Sequence, residues 1–256
     1  QVILSSTPST EAHQTRDKIG AKLFVLEPLS APEREVFIQG FMSLHAKTLK
    51  PSQLASLVSP TACANPLYLK TILEELRVFG SFEQLDQRIA DYLKARDATE
   101  LFQLVFARLD KDTSALSPGE IVKSIMSAIY ASRSGLSEEE LMGMFKMTPN
   151  VWSTVSLALE ELLVDSSGQL TFFHDCVRTA VDRHYVKGRN KALHDQVATY
   201  FASYPMAKDL PPKANDPWRH RYYEELPYQY ENSENWSKLL QLVTNLDAFE
   251  TLEKST

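Results

Sequence analysis

The placement of prolines constrains this chain more than any other feature. Ser30-Ala31-Pro32-Glu33, Pro51, Pro66 and Thr148-Pro149-Asn150 each stand just ahead of apolar residues at helical spacing. Proline fixes φ near the helical value and lacks the N–H that a first turn leaves unpaired, so it opens helices. Ser30 adds an N-cap hydroxyl, and Glu33 supplies the third-position carboxylate of a capping box. Apolar residues then recur at steps of three and four: Val36, Phe37, Phe41 and Leu44; then Leu54, Leu57 and Val58. Leu67, Leu69, Ile72, Leu73 and Leu76 follow Pro66, and Gly80 closes that run. Leu85, Ile89, Tyr92 and Leu93 mark a further helix after Ser81-Phe82-Glu83-Gln84, and Leu101, Leu104, Val105 and Leu109 mark another. None of these segments alternates as a strand would, so the chain reads as mainly α.

A second group begins at Leu116-Ser117-Pro118-Gly119-Glu120. Ile121, Ile125, Met126 and Ile129 share one helix, which Ser134-Gly135 ends. Ser137-Glu138-Glu139-Glu140 opens the next as a capping box with an acidic first turn. Trp152, Val155, Leu159 and Leu162 follow Pro149, and two β-prone runs then flank Ser166-Ser167-Gly168, which predicts a hairpin. Three helices and a hairpin are the order of a winged helix. Beyond Lys187-Gly188 the pattern is helical again. Leu193, Val197, Tyr200 and Phe201 share a face, a Pro-rich link spans Tyr204 to Pro217, and Tyr223, Leu226, Tyr230, Trp236, Leu239, Leu240 and Val243 predict paired helices. Trp218, Tyr222, Tyr223, Tyr228, Tyr230 and Trp236 read as the core of a helical repeat.

Composition excludes several classes. The net charge of −6 is unsuited to neutralising phosphates, and the presumed recognition helix, Asn150 to Leu163, carries Glu160 and Glu161 and no Lys or Arg. We therefore expect no nucleic-acid partner. No apolar run reaches the ~18 residues of a membrane span. Cys63 and Cys176 are far apart in apolar settings, which predicts two buried thiols in a reducing, cytoplasmic compartment. Six histidines show no metal-ligand spacing, so no metal site is expected. Val2 to Ser6 and Lys22-Leu23-Phe24-Val25-Leu26 read as two short buried strands, the edge of a sheet in a longer protein.

Two short tracts carry chemistry. Phe172-Phe173-His174-Asp175 ends the hairpin and starts a helix, a position from which an imidazole can donate to a phosphate. Ala64-Asn65-Pro66-Leu67 opens a helix a hundred-odd residues earlier. Together, in this order, they resemble elements of the signal-transduction (STAND) ATPases of the NACHT and apoptosome-like classes. There, a Gly-x-Pro-Leu element places a proline on adenine, and a Met-His-Asp element in a winged helix contacts the β-phosphate of ADP. Leu76-Arg77-Val78-Phe79-Gly80-Ser81 and Ser134-Gly135-Leu136-Ser137-Glu138-Glu139-Glu140-Leu141 are similar to stretches of nephrocystin-type and telomerase-associated NACHT proteins.

The resemblance implies four parts: a P-loop-domain remnant over residues 1–29, a helical lid over 30–112, a winged helix over 113–187 and a helical, repeat-like region over 188–256. It implies ADP or ATP with magnesium as cofactor of the intact parent, held in part by Asn65, Pro66 and His174. Thr7 stands where many relatives carry an arginine that senses the γ-phosphate. The chain holds no Gly-x-x-x-x-Gly-Lys-Ser/Thr loop and no Walker B acidic pair, so no bound nucleotide and no catalysis are expected of it alone. The implied function is the regulatory part of a nucleotide-dependent switch that governs closed and oligomerising states. Its partners would be domains of its own parent, other copies, and proteins met by the C-terminal helices. A ciliary or cytoskeletal association follows if the nephrocystin likeness holds. The alternative is an interaction scaffold in which nucleotide plays no part.

Overall fold

The computed structural model describes residues 24–80, 82–116, 120–203 and 217–244, together with residues 14, 17–20 and 22. The expected strand at Val2 to Ser6, Thr7, the Ser117-Pro118-Gly119 junction, the link over 204–216 and the Trp218 side chain lie outside the described residues. The chain divides into two compact units, Gln1–Arg77 and Val78–Thr256.

In the first unit, α1 (Ala31–Leu44), α2 (Pro51–Val58) and α3 (Pro66–Val78) start at the prolines that mark them in the sequence. Glu33 accepts from both the Ser30 N–H and its hydroxyl, at 2.8 and 2.6 Å, which seals the α1 start. Ile38, Met42, Leu57, Cys63, Tyr68, Leu69, Ile72, Leu73 and Leu76 form the buried core. The expected face of α1 is displaced: Val36 and Leu44 are 71% and 83% exposed, and Ile38 and Met42 are buried instead. Each of those exposed residues stands two positions from a buried one, about 200° around a helix. At the other end of the bundle, the Lys47 ammonium donates to the carbonyls of Leu76 and Arg77, closing the last turn of α3.

The segment expected to be a strand at 22–26 carries no strand in its described residues, and Phe24, Val25 and Leu26 are largely exposed. A strand needs a ladder partner, and the described residues supply none.

The second unit holds α4 (Leu85–Tyr92), α5 (Ala98–Asp112), α6 (Ile121–Ala131), α7 (Glu138–Phe145) and α8 (Pro149–Leu159). The hairpin β1 (Leu163–Ser166) and β2 (Gln169–Phe172) follows, then α9 (Asp175–Val181) and a π-helical turn, Asp182–Val186. Last come α10 (Asn190–Ser203), α11 (Pro217–Asn232) and α12 (Trp236–Val243). α6 is the centre of this unit. Eight of its 11 residues are buried, the mark of a helix covered on every side, and α5, α9, the π turn and α10 all pack on it.

The hairpin forms where expected, with Ser166 paired to Gln169 across a two-residue loop. Ser167 and Gly168 both take positive φ, 57° and 83°, the primed turn whose twist matches paired strands. A third segment joins it: Leu136 and Leu170 exchange backbone hydrogen bonds of 3.3 and 2.9 Å. Gly135 makes that approach possible. Its φ is +99°, and a Cβ there would stand 2.6 Å from the Leu170 carbonyl oxygen.

The aromatic cluster is only partly core. Tyr223 and Tyr230 are buried and Tyr222 and Tyr228 half-buried, whereas Trp236 is 59% exposed. Trp236 shares the outward face of α12 with Leu240 and Val243, one turn and two turns on. Cys63 is buried, and burial pushes its thiol up to about 11; Cys176 is only half-buried, so the pair of buried thiols is reduced to one. α11 also runs through Pro227 without ending, against the rule that places this chain's prolines at helix starts.

Candidate functional site

His174 is the N-cap of α9. Its φ of −154° and ψ of 146° are extended, and its Nδ1 accepts from the Cys176 N–H at 3.0 Å. An imidazole nitrogen that accepts carries no proton, so the neutral ring holds its proton on Nε2. The residue is exposed, and among the described residues nothing accepts from that Nε2–H. Phe173 beside it is 40% exposed, its ring edge-on to Phe102 at 6.2 Å. The hairpin exit thus presents one directed N–H donor, with a phenyl ring alongside.

Asn65 and Pro66 open α3 in the first unit. The Asn65 Oδ1 accepts from the N–H groups of Leu67 and Tyr68 at 2.9 and 3.3 Å, and Pro66 takes the first helical position. Asn65 and Pro66 are both exposed. Pro66 and Asn65 belong to one unit and His174 to the other. Among the described residues, no three of His, Cys, Asp and Glu converge as a metal site would require, and no helix is long and apolar enough to cross a membrane.

The most developed polar arrangement lies elsewhere, at the C-terminal end of α6. A helix leaves its last carbonyls without intrahelical partners. Here they are met from other elements: Arg178 of α9 donates to the Tyr130 carbonyl at 2.9 Å, and Gln229 of α11 donates to the Ala131 carbonyl at 2.9 Å. Gln229 also donates to Glu225, and both its N–H groups are then used, so its oxygen accepts from His194 Nδ1 at 2.7 Å. That fixes His194 as the Nδ1–H tautomer, and burial holds the ring below the usual histidine range. Glu225 accepts from the Arg133 N–H at 2.8 Å.

Arg221 completes the arrangement. Its Nε and Nη2 donate to the two oxygens of Glu140 at 2.9 and 3.1 Å, a bidentate pair. Nη2 also reaches the Gly135 carbonyl at 3.0 Å, and Nη1 meets Ser134 and Glu224 at 3.1 Å and Glu225 at 3.5 Å. Side-chain exposure is 11% for Arg221, 1% for Glu140 and 0% for Glu225, so these charges are removed from water together. Burial raises the Glu225 carboxyl above the usual range despite these donors. Glu140 meanwhile keeps its expected role, accepting from the Ser137 N–H at 2.8 Å in the α7 capping box.

Sequence reading places Glu140 in its cap but misses Arg221, Glu225, Gln229 and His194 as a set. The available signal is the four-residue step of 221, 225 and 229, a polar stripe beside the apolar Tyr223, Leu226 and Tyr230.

Comparison with known proteins covers nearly the whole chain. The family model described as "Nephrocystin 3, helical domain" matches residues 46–185. A TPR repeat-containing protein of Dictyostelium discoideum is 27% identical over 98% of this chain and 15% of its own length. Telomerase protein component 1 of Mus musculus is 24% identical over 96% of the chain and 10% of its own length. Nephrocystin-3 of Xenopus laevis is 26% identical over 54% of the chain and 11% of its own length. The chain therefore spans only a small part of each of these relatives. No solved structure matches it.

Proposed function

The chain belongs to the nephrocystin 3 helical-domain family, and from that premise we propose that it is a helical segment of a protein-interaction scaffold. The observation that carries this reading is the outward face of α12, where Trp236, Leu240 and Val243 are 59%, 63% and 40% exposed at i, i+4 and i+7. An apolar stripe of that period is what a neighbouring helix or repeat packs against. The likeness to a TPR repeat-containing protein supports it further. In the intact parent, Trp236→Ser with Leu240→Ser should remove a defined subset of the proteins that co-purify with wild type. An unchanged set would overturn the proposal.

A nucleotide-dependent switch is the second reading, and the free Nε2–H of His174 favours it. In this reading residues 1–29, 30–112, 113–187 and 188–256 are a P-loop-domain remnant, lid, winged helix and repeat-like region. The bridge between Leu136 and Leu170 supports the winged helix, since it adds a third strand-like segment to the hairpin. His174 would donate to an ADP phosphate and Pro66 would lie against adenine, with Asn65 holding the turn beneath it; Thr7 would stand near the γ-phosphate. An exposed N–H donor and an exposed ring fit those two parts of a nucleotide. The nucleotide and its magnesium would supply the charge that the switch reads, and the chain's own residues would only grip it. One charge-assisted hydrogen bond, worth ~1.5–3 kcal/mol, would shift a two-state equilibrium roughly ten- to a hundredfold. Titration of ADP into the intact parent separates the readings: saturable heat that His174→Ala weakens supports the switch, and its absence leaves the scaffold.

A further inference from the structure

α11 presents two buried faces of opposite character. Tyr223, Leu226 and Tyr230 form the apolar one, and α11 packs most extensively against α10. Arg221, Glu225 and Gln229 form the polar one, at successive four-residue steps, and it faces the turn between α6 and α7. That turn is gripped through its backbone as well as its side chains. The Ala131 and Gly135 carbonyls accept from α11, the Arg133 N–H donates to it, and the Arg133 guanidinium donates to the Glu224 carbonyl at 3.2 Å.

We propose that this polar seam is a releasable clamp: α11 leaves the α6–α7 turn while staying on α10, and returns to a single register. Three observations support it. The contacts that make the seam are hydrogen bonds and ion pairs, and each of these groups can trade its partner for water. The register is unique, because a shift of one residue along α11 would turn the Arg221, Glu225 and Gln229 row about 100° away from its partners. The grip also centres on one guanidinium, since Arg221 joins Glu140 of the α7 cap to Glu225 of α11. The clamp is independent of what the chain recruits or binds.

Hydrogen exchange on the full chain, followed by mass spectrometry, tests this. In Arg221→Met, amides of residues 131–137 and 221–233 should exchange about tenfold faster or more, while α5 and α9 keep wild-type rates. Arg221→Lys should open the same two segments, because an ammonium cannot span both Glu140 oxygens. Acceleration of equal size in α5 and α9, or none in the two segments, would overturn the clamp. So would full restoration by lysine, which would reduce Arg221 to charge balance. Should Arg221→Met not fold, Gln229→Met decides: acceleration confined to the two segments supports the clamp, and a global or absent effect refutes it.

Discussion

The hairpin exit and the α6–α7 turn both hold a titratable or charged side chain against a helix end, by opposite means. His174 reaches two residues along the chain to one backbone N–H, stays exposed, and keeps a donor free. Arg221 reaches back more than eighty residues to Glu140, Ser134 and Gly135, is nearly buried, and has its donors engaged. A free donor on the surface is available to a ligand, whereas a satisfied buried network defines how elements sit. The motif that reads as chemistry is therefore held lightly, and a residue without a motif holds α11 against the α6–α7 turn.

The widest test of that contrast is Arg221→Met. It leaves Glu140 and Glu225 buried without their counter-ion and should cost about 3–5 kcal/mol of local opening free energy, read from amide exchange in the α6–α7 turn and α11; a loss under about 1 kcal/mol, the size of an exposed ion pair, would erase the distinction between the two regions. Gly135→Ala should come next at about 2–4 kcal/mol, because the new methyl meets the Leu170 carbonyl at an unfavourable φ.

His174→Ala should cost only about 1 kcal/mol, the worth of an N-cap, with His174→Asn recovering most of it. Any larger loss would mean that the ring packs more tightly than its exposure allows. The smallest change is expected from Glu225→Gln, within about 1 kcal/mol of wild type at neutral pH, since Arg221 keeps Glu140. Its signature is instead a slope. Burial raises the Glu225 carboxyl, so the native state retains a proton that the unfolded chain releases. Wild-type stability should therefore fall more steeply with rising pH than that of the variant, from the unfolded carboxylate range up to the raised folded value. Unfolding curves of the two proteins across that range measure the difference.

The same contrast explains what is legible in the residues. Ser30-Ala31-Pro32-Glu33, Ser137 to Glu140 and the Ser167-Gly168 turn act within four positions, so their chemistry is written where it operates. His174 is legible as a junction for that reason. Arg221 stands in Trp218-Arg219-His220-Arg221-Tyr222, where only the aromatic residues carry a sequence signal; its partners at Glu140, Ser134 and Gly135 lie more than eighty residues away. The face of α1 differs from expectation because Val36 and Leu44 match helical spacing without having anything among the described residues to cover them. At 22–26, apolar content predicts a strand, but pairing is a property of a neighbour and not of the run itself.

The π turn at Asp182–Val186 has its own consequence. The Lys187 N–H closes onto the Asp182 carbonyl five residues back, so this turn holds one residue more than an α-helix would. The surplus changes helical phase: two successive residues, His184 and Tyr185, both face Asp110, the Tyr185 hydroxyl at 2.9 Å and the His184 Nε2 at 3.7 Å. Deleting a single residue there would restore the α-helical phase and turn one of these two residues about 100° away from Asp110. In this family, then, a one-residue gap at that point would leave the turn helical while parting Asp110 from one of its two partners.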